Sequence, residues 1–73
     1  MDPKEACLKV LGEAGDETLH WTVILDRALT QRLIDPFTTT PDVRGVVVKT
    51  LAALAKEGRV VKVGTGLYRA ADG

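Results

Sequence analysis

Six cations fall between positions 44 and 69 of this sequence: Arg44, Lys49, Lys56, Arg59, Lys62 and Arg69. Glu57 is the one acid among them. Residues 44–69 therefore carry six cations against one anion, a net of +5. Residues 1–43 carry four against eight, a net of −4, and Asp72 brings the chain to zero. Such asymmetry can orient a small domain on a polyanion although the net charge is nil. The residue types suit that chemistry. Arg44 can set a guanidinium fork on O6 and N7 of guanine, and Lys49 and Lys56 are suited to phosphate. Lys62 and Arg69 flank a glycine-bearing turn, where they can hold a sugar-phosphate backbone. Thr65, between Gly64 and Gly66, gives that turn a small tip able to approach a backbone closely. Thr38, Thr39 and Thr40 precede a helix start, where hydroxyls and amides bind phosphate. The plain alternative is a solubilising helix face and threonines that only satisfy a turn.

The remaining chemistry-bearing residues point away from catalysis. His20 is the only histidine and Cys7 the only cysteine, and no His-x-Glu, Cys-x-x-Cys or His-Glu-x-x-His spacing occurs. No catalytic residue, metal ligand or cofactor site is expected, and the domain should be stable without either. His20 reads as a partner for backbone groups beside Trp21, Cys7 as a buried thiol, and Trp21 as a core anchor in preference to a stacking platform for bases. Gly64-Thr65-Gly66 lacks the following helix of a phosphate loop and reads as a tight turn.

These residues need elements to position them, and the punctuation supplies the elements. Asp2-Pro3 with Glu5 is a helix start with a capping box; Ala6, Cys7, Val10, Leu11 and Ala14 form one face, and Gly15 ends the helix. Leu19-His20-Trp21 is short and extended. Thr22 is placed to cap a second helix with apolar residues Ile24, Leu25, Ala28 and Leu29. Leu33 and Ile34 continue the apolar surface, Asp35-Pro36 breaks it, and Phe37 should return to the core. Thr40 as cap and Pro41 as first residue open a third helix over 41–57, with core face Val43, Val47, Leu51 and Leu54 and opposite face Gly45, Lys49, Ala52 and Lys56. Gly58 ends it. Arg59-Val60-Val61-Lys62-Val63 and Leu67-Tyr68-Arg69 make a hairpin. With Thr65-Gly66 as a two-residue turn, Val63 faces Tyr68 and Lys62 faces Arg69. Val61, Val63, Tyr68 and Ala70 then point inward; a three-residue turn shifts this register by one. At 73 residues there is room for one domain, core about 3–70. Its class is α+β: three helices, a short strand and a C-terminal two-stranded hairpin, the element order of a winged helix-turn-helix.

In that order, Glu5-Ala6, Val10-Leu11, Gly15, Leu19-His20-Trp21, Ala28-Leu29, Leu33-Ile34, Thr40-Pro41 and the run Arg59 to Tyr68 resemble the HARE-HTH family of winged helices. The resemblance spans about Lys4 to Arg69 and departs at Asp35-Pro36-Phe37 and at Gly45. It implies a DNA-tethering or adaptor role, as in Asx-like chromatin regulators and restriction endonucleases, or in transcription; some relatives, such as the delta subunit of bacterial RNA polymerase, bind protein instead. The expected partner is double-stranded DNA, read by the third helix in the major groove with the hairpin as a wing on the backbone. The alternative is a protein docked on the third helix, favoured by zero net charge and by Gly45, Val46, Val48, Ala52 and Ala53. A signal peptide and a membrane span are both unexpected, which places the protein inside the cell, in cytoplasm or on the nucleoid.

Overall fold

The computed structural model describes residues 2–34 and 42–71. Within them lie α1 (Pro3–Ala14), β1 (Leu19–His20), α2 (Trp21–Thr30), α3 (Val43–Lys56), β2 (Val60–Gly64) and β3 (Leu67–Ala70). The domain is thus α+β, three helices with a three-stranded antiparallel sheet of order β1-β3-β2. One hydrophobic cluster joins the layers. Ala6, Cys7, Val10 and Leu11 of α1 meet Ile24, Leu25 and Ala28 of α2 and Val47, Leu51 and Leu54 of α3. Leu19, Val60 and Tyr68 close it from the sheet, and Leu33 and Ile34 from beyond α2. Val43 and Leu29 are only partly buried at its edge. Phe37 lies outside the described residues.

The helix starts follow the sheet as much as local preference. Asp2 caps α1 as expected, Oδ1 accepting from the Lys4 amide at 3.2 Å. Thr22, expected as the cap of α2, lies inside that helix instead. His20 is the N-cap, extended at φ −72° and ψ 149°, with Nδ1 accepting from the Thr22 amide at 3.2 Å. The reason is the sheet. Leu19 and His20 pair with Tyr68 and Leu67 of β3, and the Trp21 amide donates to the Gly66 carbonyl at 2.8 Å. The chain is therefore held extended up to His20 and released into helix one residue later. The start of α3 is also corrected. Asp42, not Thr40, is its N-cap, Oδ1 accepting from the Gly45 amide at 2.9 Å; Thr40 and Pro41 lie outside the described residues. The cap explains Gly45, since a Cβ there would lie 2.9 Å from Asp42 Cγ.

The hairpin departs from the expected register. Val60 pairs with Ala70, Val61 with Arg69, Lys62 with Tyr68 and Gly64 with Leu67, leaving Val63 as a bulge. Its tip uses positive φ at Gly66 (74°) and not at Thr65. That excludes the primed two-residue turns that need positive φ at the first central residue. The extra residue in β2 takes up the mismatch. Two expectations fall with it. Val60, not Val61 and Val63, joins Tyr68 on the core side, and Val63 is 51% exposed. Lys62 and Arg69 do not oppose each other; they alternate onto opposite faces of the sheet.

Candidate nucleic-acid interface

Core packing fixes which side of α3 is free. Val47, Leu51 and Leu54 are wholly buried, so the opposite side, with Lys49, Ala52 and Lys56, faces outward and is exposed, as expected. Arg44 and Val48 stand on the shoulder between these sides, one helical turn apart and both exposed. The shoulder looks toward Trp21 and the hairpin. Trp21, Val48, Lys62, Thr65, Gly66 and Tyr68 line a cleft of about 250 Å³. Trp21, Thr22, Leu25, Asp26, Leu29 and Arg44 line another of about 370 Å³. Trp21 belongs to both and is half-buried, packed on the rim of the core.

Of the residues expected at a site, Arg44, Lys62 and Thr65 are thus brought around one indole ring. Lys49 and Lys56 lie on the adjoining outer face of α3. Arg69 is separated from them: it is on the other face of the sheet, partly buried, with Nη1 donating to the Ala70 carbonyl at 3.4 Å. Thr38, Thr39 and Thr40 lie outside the described residues. Trp21 was expected as a core anchor in preference to a stacking platform, and Val48 only in the protein-docking alternative. Their signal was present, a lone tryptophan at the start of a helix and a valine next to Lys49, but only the hairpin's return to β1 makes them neighbours.

The electrostatics of the region are simpler than its composition. Glu57, the one acid of residues 44–69, accepts a 2.8 Å salt bridge from Lys4 Nζ of α1. The Lys4 hydrogen bond lowers its carboxyl from the ordinary value; desolvation opposes this, and the charges of Lys4 and Arg59 add to the lowering. The acid is therefore occupied by the other end of the molecule. Asp26 lines the same cleft as Arg44.

His20 is the backbone partner expected: besides the Thr22 amide, Nδ1 lies 2.8 Å from Thr22 Oγ1, and its ring leans on Trp21 at a centroid distance of 5.7 Å. Cys7 is fully buried, and burial pushes its thiol from 9.0 up to about 11. Among the described residues, no group of three or more His, Cys, Asp and Glu side chains is placed to hold a metal ion. No described helix is long and apolar enough to cross a membrane. Compared with protein-family models, curated proteins and solved structures, the chain matches none.

Proposed function

We propose that this chain is a winged helix-turn-helix domain that binds duplex DNA. In this reading α2 and α3 are the helix-turn-helix, α3 enters the major groove, and the β2–β3 hairpin is the wing on the adjacent backbone. The observation that carries it is the disposition of cations. Lys49 and Lys56 share the outer face of α3, Arg44 and Lys62 flank the Trp21 clefts beside it, and Glu57 is held by Lys4. Element order, sheet order β1-β3-β2 and the resemblance to HARE-HTH domains support the same reading. Lys49 and Lys56 act on phosphates, while Arg44, on the shoulder, is the residue suited to a base edge.

The test is fluorescence anisotropy of a labelled duplex over a series of salt concentrations. With about 4 phosphates contacted, log K falls against log salt with a slope of about −3.6. Lys49→Gln and Lys56→Gln each reduce that slope by about 0.9 on every duplex alike. Arg69→Gln, on the far side of the sheet, leaves the slope unchanged and serves as the control. Arg44→Ala costs about 1–3 kcal/mol on a preferred site and little on random duplex. Absence of binding in low-salt buffer, or equal effects of Lys49→Gln and Arg69→Gln, refutes the reading.

A second reading has its own observation. Val48 on α3 is 40% exposed, and Val63 and Leu67 at the hairpin tip are 51% and 36% exposed. Apolar side chains at those places suit a protein docked on α3 and the hairpin. It predicts a partner whose binding survives high salt and is lost with Val48→Asp.

A further inference from the structure

The two clefts that share Trp21 differ in charge, and the difference assigns them different occupants. The cleft toward α2 has both Arg44 and Asp26 on its lining, so a phosphate seated there would share the cleft with a carboxylate. Among the described residues, Lys62 is the only charged wall of the cleft toward the hairpin, and Thr65, Trp21 and Val48 also line it. A cation and a hydroxyl next to an indole and a valine match one repeat of a nucleic-acid strand, an anionic phosphodiester joined to an apolar sugar face. The register places them so. Lys62 pairs with Tyr68, which pairs in turn with Leu19 of β1, so Lys62 shares the sheet face directed toward α3 and not the outer one.

Gly66 holds the indole in place. Its carbonyl accepts from the Trp21 amide at 2.8 Å. A Cβ on Gly66 would lie 3.0 Å from Trp21 Cδ1 and 2.9 Å from His20 Nε2. The pyrrole edge of the indole therefore rests on the bare backbone of the hairpin tip. Among the described residues the indole N–H makes no hydrogen bond, so this edge also has a donor to offer.

We infer that the cleft formed by Trp21, Val48, Lys62 and Thr65 seats one sugar-phosphate unit of the bound duplex, with the phosphate on Lys62 and Thr65 and the deoxyribose against Trp21 and Val48. The inference rests on the DNA-binding reading and adds to it. Trp21 becomes a direct contact, and α3 and the hairpin grip the same strand from two sides.

Trp21 is the only tryptophan, so its fluorescence reports the cleft in the unaltered protein. The experiment titrates unlabelled duplex into the wild-type domain and follows acrylamide quenching of Trp21. Labelled-duplex anisotropy then gives the affinities of Trp21→Phe, Thr65→Ala and Lys62→Gln, each checked for an unchanged fold by circular dichroism. The expected results are loss of acrylamide quenching at saturating duplex, binding about 10-fold weaker for Trp21→Phe, and a salt slope smaller by about 0.9 for Lys62→Gln. If the duplex binds with the proposed salt slope while quenching stays as in the free protein, the cleft is empty and this inference is overturned, though the DNA reading stands. If no duplex binds at low salt, both fall. The quenching measurement needs no variant, so a substitution that disturbs folding does not decide the outcome.

Discussion

α2 and α3 pack on the same core and end in the same backbone motif, yet they reach it with different residues. After α3, the Gly58 amide donates to the Ala55 carbonyl at 3.1 Å and the Arg59 amide to the Leu54 carbonyl at 2.9 Å. After α2, the Arg32 amide donates to Leu29 at 3.1 Å and the Leu33 amide to Ala28 at 2.8 Å. Both are Schellman closures, which require one residue in the left-handed region. α3 uses Gly58 at φ 79°, and α2 uses Arg32 at φ 57°. A side chain there costs about 1–2 kcal/mol that glycine does not. In α2 the next two residues offset the cost. Leu33 and Ile34 are buried at once, 8% and 2% exposed, so turning the chain sharply at Arg32 places two large apolar groups in the core. The two helices also start differently, α2 where the sheet lets go of the chain and α3 on its own aspartate. Helix ends thus obey tertiary demand first, and the residue preferred locally is used where nothing opposes it.

The contrast between the two helices can be broken at several points. The largest effect should come from the core faces. Leu51 of α3 is fully buried and Leu29 of α2 only partly. Leu51→Ala should cost about 2–5 kcal/mol, most of the stability of a domain this small, and Leu29→Ala clearly less. Thermal melts followed by circular dichroism measure both, and equal losses would remove the asymmetry between the helices.

Cys7 lies in the core that both helices cover, and its titration sharpens the point. Its folded-state thiol titrates near 11 and the exposed thiol near 9. The protonated form is favoured in the fold, so this contribution to stability is fully present below about pH 9 and is lost as pH rises toward 11. Urea midpoints of the parent should fall relative to those of Cys7→Ala across that window, and parallel curves would show that the thiol is not desolvated.

Gly66→Ala tests whether α2 truly begins on the hairpin. Positive φ and the crowding against Trp21 and His20 together should cost about 2 kcal/mol or more. A variant with unchanged melting would mean that the start of α2 is set by its own residues. The smallest effects are a pair of opposite sign. Gly58→Ala should destabilise by about 1 kcal/mol, and Arg32→Gly should stabilise by some tenths to about 1 kcal/mol, because it relieves the left-handed strain but frees the unfolded chain. Denaturant midpoints that move in the same direction would refute the account of the two closures.

Much of the architecture was legible because it rests on short-range signals. The Asp2-Pro3 start, the Gly58 stop, the 3.6-residue spacing of Val47, Leu51 and Leu54, and the β-branched run at Val60 each act within a few residues. From these the helices, their buried faces and the hairpin follow, and with them the outward position of Lys49 and Lys56. The site was less legible because its parts meet across the chain. Local preference favoured Thr22 as a cap, but β1 pairing with β3 carried the boundary to His20. Alternation alone put Val63 inward, but the non-primed turn at Thr65-Gly66 inserted a bulge and exposed it. The same bulge moved Lys62 from Arg69's side of the sheet to Trp21's. Charge, periodicity and turn residues are properties of neighbours in sequence, so the chain alone determined which elements form and where its cations lie along them. Which cations share a face depends on strand register and on a pairing between residues 19–20 and 67–68, and a one-residue shift there reverses every side chain. Only the tertiary structure decided that.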